Sequence, residues 1–589
     1  MSDLSTSNQP GSSGLPAEPP GSSPSGLRAA VIQAAAELVA GAADGAEGPS
    51  GEAFSAGSRG AITLERPPRA DFGDYSTNAA LLLAPRLRRS PREVAEQLGA
   101  QLAVTLGPAL ERFDVAGPGF VNLHLADRWL RDALAGALAA GASFGAGGGG
   151  ADGVGEPVLI EFVSANPTGP MHVGHARNAA YGDALARMLE FGGRRVTREF
   201  YVNDAGSQVR VFGASVQAAA RGEQPPEGGY QGDYVAELAA RLDDAAGADP
   251  GELGRAAVSA MVGEIQASLA AFAVKDFDDW TYESRLHEGD PSPVAHTLEL
   301  LERLGHAYKS EGALWLRTTE FGDDKDRVLI RSTGEHTYFA SDIAYHQDKR
   351  ERGFEHQIDV WGADHHGYVL RMKAAYGALG GDPDGLELLI MQLVHLVRSG
   401  ARAQMSKRAG EFVSLDELVA EIGVDAARWY LLARSHDTTV DLDLDLARSQ
   451  SNENPVYYVQ YAHARISSVL AKAGAKRVDA ATSLAAGGVG AAEPGAEAAP
   501  LHVSERALVK QLLDFPGELT AAAERRAPHR IAAYALELAQ GFTAFYRDCR
   551  VLGAEPAAVE SERLALCVAS RATIARCLDL LGVSAPQEM

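Results

Sequence analysis

The chain has 589 residues and a formal net charge of −24, from 54 Lys+Arg against 78 Asp+Glu. That length suits three or four domains. The acidity argues against a surface that grips nucleic acid everywhere, so any phosphate contact has to come from local patches. No signal peptide or apolar run of membrane length occurs, and Cys549, Cys567 and Cys577 lack metal-binding spacing. The expectation is a soluble chain in a reducing, cytoplasmic interior, with no membrane or DNA partner.

Residues 1–26 are rich in Ser, Gly and Pro and nearly uncharged, which predicts a disordered tail. Residues 27–140 form an α+β unit, with helices expected at 28–41, 92–105 and 127–140 and strands at 60–65 and 119–125. Residues 141–156 read as a Gly/Ala linker. The apolar run 157–163 is bounded by Gly-Glu-Pro and Ser-Ala-Asn-Pro-Thr-Gly-Pro, the pattern of a short buried parallel strand. The helix expected over 173–191 turns Ala176, Ala180, Leu185, Met188 and Leu189 inward. This opens an α/β unit over 157–440, a Rossmann-like doubly wound parallel sheet interrupted by helical insertions such as 207–272. Residues 441–589 predict an all-α bundle, with helices near 455–472, 503–514, 516–525, 528–550 and 560–580. The low-complexity stretch Ala481–Pro500 reads as an exposed loop. Residues 449–589 carry 14 Lys+Arg and 15 Asp+Glu, a net of −1, so the acidity lies upstream.

At the strand-to-helix turn stands His172-Val173-Gly174-His175, and about 230 positions later comes Gln404-Met405-Ser406-Lys407-Arg408. The first segment lies at the carboxyl edge of a parallel sheet, where open α/β folds bind ligands. A helix N-terminus there offers backbone N–H groups and a positive dipole to phosphate. His172 and His175 add side-chain donors, and Gly174 lets a ligand approach the backbone. Lys407 sits in a polar, Gly-ended stretch; alone it reads as a solvated surface lysine. Together the two segments resemble the HIGH and KMSKS signatures of class I aminoacyl-tRNA synthetases. Gln404 replaces the first lysine of the second signature and Arg408 its last serine.

Further segments narrow the resemblance: Ile160-Glu-Phe-Val-Ser-Ala-Asn166, Arg198-Glu-Phe-Tyr-Val-Asn-Asp204, Gly334-Glu-His-Thr-Tyr-Phe-Ala-Ser-Asp342, Trp361-Gly-Ala-Asp-His-His-Gly367 and Tyr457-Tyr-Val-Gln-Tyr-Ala-His-Ala-Arg465. With these the chain is similar to arginyl-tRNA synthetases over roughly residues 28–589. The resemblance implies ATP-dependent activation of L-arginine and its transfer to tRNA(Arg) by a monomer. Magnesium would arrive with ATP, and no protein-bound zinc is expected. His172, His175 and Lys407 would be catalytic. ATP would bind along Ala165-Asn166-Pro167-Thr168-Gly169-Pro170-Met171, the His172–His175 segment, and Met405, Ser406 and Lys407. Residues 27–140 would be an appended tRNA-contacting domain and 441–589 a DALR-type anticodon-binding domain; the family's eponymous stretch reads Asp425-Ala-Ala-Arg428 here, ahead of that domain.

A guanidinium pocket needs carboxylates that accept a fork of N–H donors. Glu161 inside an apolar strand is rarely explained without a partner. Asp342, four residues after Tyr338, shares its helix face, although on sequence alone it reads equally as a helix N-cap. The resemblance assigns Glu161, Asn166, Tyr338, Asp342, Asp364 and His365 to arginine. Asp364, His365 and His366 could suggest a metal, but adjacent histidines do not readily ligate one ion, and a strand end lining the nucleotide pocket fits better. Tyr458 and Tyr461, with Gln460 and His463 nearby, read as core or as platforms for anticodon bases; the resemblance favours the second for Tyr458 and Tyr461.

Overall fold

The computed structural model describes residues 23–42, 61–147, 155–402, 413–486 and 499–589. The chain forms two compact units. One comprises residues 1–144, 469–514 and 541–572, the other 145–468, 515–540 and 573–589.

In the first unit a four-stranded antiparallel sheet runs Leu64–Glu65, Tyr75–Thr77, Phe120–Leu125, Leu110–Ala116. Helices Pro24–Ala42, Ala79–Leu87, Pro91–Leu106 and Asp127–Ala140 accompany it. Pro91–Leu106 begins with a capping box in which Ser90 and Glu93 satisfy each other's backbone N–H groups. Asp74, in the Asp71-Phe-Gly-Asp74 segment, is buried. It accepts from Leu125 N–H (2.8 Å), Arg506 (2.9 Å) and Lys510 (2.8 Å), so this turn is fixed to helix Val503–Leu513 by charge.

The second unit is built on a five-stranded, wholly parallel sheet in the order Leu386–Met391, His356–Gly362, Pro157–Glu161, Arg195–Val202, Asp279–Tyr282. The chain starts at the centre, winds outward one way, then returns to the other side of Pro157–Glu161. The topological switch point therefore lies between Pro157–Glu161 and His356–Gly362, the crevice where such sheets bind ligands. The strand stops at Glu161 because Val163 and Ser164 turn to positive φ, 70° and 38°. Helix Val173–Phe191 follows with the expected bounds. Helices Gly206–Arg221, Asp233–Arg241 and Pro250–Ala271 form the insertion.

Two small sheets escaped the sequence reading. Ala307–Ser310, Ala313–Leu316 and Arg327–Ile330 form an antiparallel sheet. Its Leu314, Leu316 and Leu329 share a core with Phe339, Ile343, Leu298 and Leu301. The apolar run Leu388–Val397 is divided between strands Leu386–Met391 and Val394–Arg398, which belong to different sheets. The loop expected over Ala481–Pro500 needs correction at its start. Residues 475–486 are helical, with Ala481 buried, as a stretch rich in the best helix former permits. The remainder, 487–498, lies outside the described residues. No helix among the described residues is long and apolar enough to cross a membrane.

Arg428 organises the second unit. Its side chain is 0 % exposed and donates to Asp183 (2.5 Å), to Leu581 O (2.8 Å) and to Phe272 O (3.2 Å). Asp425 accepts from Ser584 N–H (2.8 Å) and from Gln460 (2.8 Å). The Asp425-Ala-Ala-Arg428 stretch thus ties the helix that starts at Val173, the insertion and the C-terminal residues together.

Candidate active site

His172 is the N-cap of helix Val173–Phe191. Its Nδ1 accepts the Gly174 N–H (3.0 Å), and its own N–H donates to His175 Nδ1 (3.4 Å). The two rings stack with centroids 3.8 Å apart. Burial lowers the His172 pKa, and burial with the neighbouring His172 brings His175 down to about 3. Both rings are therefore neutral, and with Nδ1 accepting, the proton sits on Nε2. The pair offers N–H donors beside a helix N-terminus without placing cations there.

Arg402 and Val413 flank the second signature on the described chain, so Gln404, Met405, Ser406, Lys407 and Arg408 lie outside the described residues. The segment that follows is held at the first signature. Val173 N–H donates to Val413 O (3.1 Å), Leu415 N–H donates to Met171 O (2.8 Å), and His172 pairs with Ser414.

Glu161 ends the central strand and lies level with Asp359 on the next one. Lys349 Nζ bridges them, 2.6 Å from Glu161 Oε2 and 3.0 Å from Asp359 Oδ1, and Ser164 Oγ donates to Glu161 Oε1 (2.8 Å). The partner that a buried Glu161 requires is therefore a protein lysine. His346 Nε2 completes the cluster at 2.7 Å from Asp359. Although burial opposes its charge, Asp359 and Glu161 hold the Lys349 ammonium above its usual range.

Helix Tyr338–Glu351 is capped by Thr337, whose side chain accepts from Ala340 N–H. Asp342 is thus no N-cap; it stands in the first turns, where Tyr368 OH donates to it over 2.6 Å. Burial raises its pKa. Tyr338, one turn earlier, is 66 % exposed. Asp364 and His365 lie in the turn Ala363–Tyr368 that directly follows strand His356–Gly362, and both are exposed. Asn166 is exposed in the loop before the histidine pair, its carbonyl accepting from Thr168 N–H (2.8 Å). Among the described residues, no group of three or more His, Cys, Asp or Glu side chains could hold a metal ion.

Two acids near this edge, Glu283 and Asp204, were given no role in the sequence. Glu283 follows the last strand and is buried. Burial, then Asp342 and Asp204, push its pKa up to about 7, while a hydrogen bond from Tyr201 opposes the rise. Asp204 anchors the same turn by accepting from Ser284 N–H (2.9 Å) and Ser284 Oγ (2.7 Å). Asp342, Glu283 and Asp204 therefore crowd negative charge around Tyr201, a setting that favours a cationic guest. The signal available was the acidic residue just past each of two strands, Asp204 and Glu283, but nothing in one sequence aligns those strand ends.

In helix Pro455–Ala473 the ring of Tyr457, one turn earlier, stacks on Tyr461 (centroids 6.2 Å). Arg465 donates to the Tyr461 hydroxyl (3.0 Å). Tyr461 is 38 % exposed. Gln460 and His463 are buried and bond Ser584 O (3.0 Å) and Pro586 O (2.7 Å).

A parallel sheet wound about this switch point, with the histidine pair capping the helix there, defines a class I aminoacyl-tRNA synthetase. The family model for the class I (R) tRNA synthetase catalytic domain matches residues 150–227 and 285–465. The arginyl tRNA synthetase N terminal domain matches 27–125, and the DALR anticodon binding domain 459–589. The chain is 46 % identical over 552 residues to the arginine–tRNA ligase of Desulforudis audaxviator, spanning 90 % of this chain and 93 % of that one. It is 47 % identical over 544 residues to the arginine–tRNA ligase of Frankia alni, spanning 90 % and 95 %. The Thermus thermophilus arginyl-tRNA synthetase structure superposes with a TM-score of 0.70 at 25 % identity, over 96 % of this chain and 99 % of that one. The chain belongs to the arginyl-tRNA synthetase family.

Proposed function

We propose that this chain activates L-arginine with ATP and transfers the arginyl group to the 3′ end of tRNA(Arg). The observation that carries the reading is the meeting, at one sheet edge, of neutral imidazole donors at a helix N-terminus with a crowd of carboxylates around Asp342. One half suits a polyphosphate, the other a guanidinium.

In the first step an arginine carboxylate oxygen bonds to the α-phosphorus as the bond to the β-phosphate bridging oxygen breaks and pyrophosphate leaves. His172 and His175 donate to the oxygens that gain charge, and the helix N-terminus adds its dipole. Lys407 would contribute a point charge to the departing phosphates. Magnesium enters on the phosphates of ATP. Asp342 accepts the guanidinium, with Tyr338, Asp364 and His365 at the rim and Glu161 beneath. Asn166 holds the amino-acid end. In the second step the terminal ribose hydroxyl attacks the arginyl carbonyl carbon and AMP leaves. No side-chain nucleophile takes part, so positioning and electrostatics supply the rate.

Anticodon bases would stack on Tyr461, with Tyr457 behind it and Tyr458 alongside. The neutral amino acids closest in size to arginine are rejected because they leave buried acceptors unpaired. The test is charging of total tRNA with labelled amino acids. Arginine alone should enter the acid-precipitable fraction; charging with another amino acid would overturn the pocket assignment.

A further inference from the structure

The side chain of Asn178 lies one turn past His175 in helix Val173–Phe191 and is 7 % exposed. Its Oδ1 accepts the Val163 N–H over 2.7 Å, and its Nδ2 donates to Val360 O over 2.7 Å. Val163 follows the end of strand Pro157–Glu161, and Val360 belongs to strand His356–Gly362. One amide therefore straps the two strands that flank the switch point.

The strap holds an unfavourable corner. Val163 has φ 70° and Ser164 φ 38°. For a β-branched residue the left-handed region is a genuine outlier that persists only where its surroundings impose it. What the corner accomplishes is visible in Ser164, whose Oγ donates to Glu161 (2.8 Å) and accepts the Tyr201 N–H (3.1 Å). The same helix closes on the strand end through Gly182, where a Cβ would lie 2.2 Å from the Phe162 ring. Two contacts of one helix, at Phe162 and at Val163, thus set the loop that leads to Asn166 against the helix that carries His172 and His175.

We propose that Asn178 is a positioning residue for arginine activation: it holds Val163 and Ser164 in the left-handed corner, and so fixes the arginine side of the site relative to the histidine pair. This rests on the reading that arginine binds at that corner. The strap acts through backbone conformation, so its importance should fall when the corner costs nothing to form. Glycine adopts positive φ freely.

The experiment is a double-mutant cycle on the full chain, with Asn178→Ala, Val163→Gly and both together. Arginine-dependent ATP–pyrophosphate exchange is measured with total tRNA present, alongside melting temperature. Asn178→Ala should lower kcat/KM for arginine by about tenfold or more in the Val163 background and by less than about threefold in the Val163→Gly background. Equal losses in both backgrounds would overturn the proposal, as would a lowered melting temperature with kcat/KM for arginine unchanged. If Asn178→Ala does not fold, Asn178→Ser takes its place in the same cycle: its loss in arginine kcat/KM should be at least about threefold larger in the Val163 background than in the Val163→Gly background, and equal losses count against the strap. Absence of arginine-dependent exchange in the unsubstituted chain would strike the function itself; an additive cycle in an active enzyme strikes only Asn178.

Discussion

Lys349 and Glu161 form an ion pair of 2.6 Å in the floor of the site, the lysine side chain 0 % exposed. The lysine comes from helix Tyr338–Glu351, which also carries Asp342, and the glutamate from the central strand. Packing that helix on the sheet therefore brings the two charges together, on the same helix that presents Asp342 to the site.

Replacing Lys349 with Met leaves Glu161 and Asp359 side by side without their cation. Breaking a buried pair by removing one partner costs about 3–5 kcal/mol, which urea unfolding will register. Lys349→Arg should not restore stability, since Nζ also lies 4.2 Å from the Tyr345 ring centroid and the larger head has no room. A Met variant as stable as the unsubstituted chain would contradict the account.

Glu283 gives a pH signature. Its pKa in the folded protein stands at about 7, raised by burial and by Asp342 and Asp204, so it is largely protonated at pH 6 and ionised at pH 8. Arginine stays cationic throughout. Binding a cation beside Glu283 favours the ionised form and releases a proton, so KM for arginine should fall as pH rises from 6 to 8. Glu283→Gln should flatten that dependence while leaving KM for ATP little changed. A KM for arginine that rises over this range would reverse the sign and exclude Glu283 from the site.

Arg428 predicts a defect of stability. Its loss leaves Asp183 buried with Arg187 as the remaining cation and strands the Leu581 and Phe272 carbonyls. Arg428→Ala should destabilise the chain by about 3–5 kcal/mol. Gly582→Ala should act in the same place, because a Cβ there lies 2.2 Å from Arg428 Nη2 at φ +66°. Melting curves decide both, and an unchanged Arg428→Ala curve would show that the hub is dispensable.

Tyr461→Ala should raise KM for tRNA in charging by about five- to a hundredfold, the range expected for one lost base stack, with little effect on melting because the ring is at the surface. Tyr457→Ala, which removes its stacked neighbour, should give a smaller effect of the same kind. Unchanged tRNA kinetics in both variants would move the anticodon contact elsewhere.

Where sequence was legible, the reason was local. The strand at 157 and the helix at 173–191 follow from an apolar run, turn residues and helix formers in direct succession. Asp342 could be placed one helical turn after Tyr338 because four residues make one turn, but its partner in the fold is Tyr368, and Tyr338 is exposed. What was not legible depends on groups distant in sequence. Lys349 reads as one charge among many in Gln347-Asp-Lys-Arg-Glu351 until the fold brings Glu161, 188 residues away, against it. Glu283 comes near Asp342 only because the fold brings the end of strand Asp279–Tyr282 and the first turns of helix Tyr338–Glu351 to one edge. Tyr457 and Tyr458 both lie at helical spacing from Tyr461, and the local pattern does not choose between them.

The most direct measurement is ATP–pyrophosphate exchange with each of the twenty amino acids, with and without total tRNA. The account predicts exchange with arginine alone among the twenty amino acids. Exchange driven by another amino acid, or none from folded protein, would contradict the assignment of Asp342, Glu161 and the histidine pair to arginine activation.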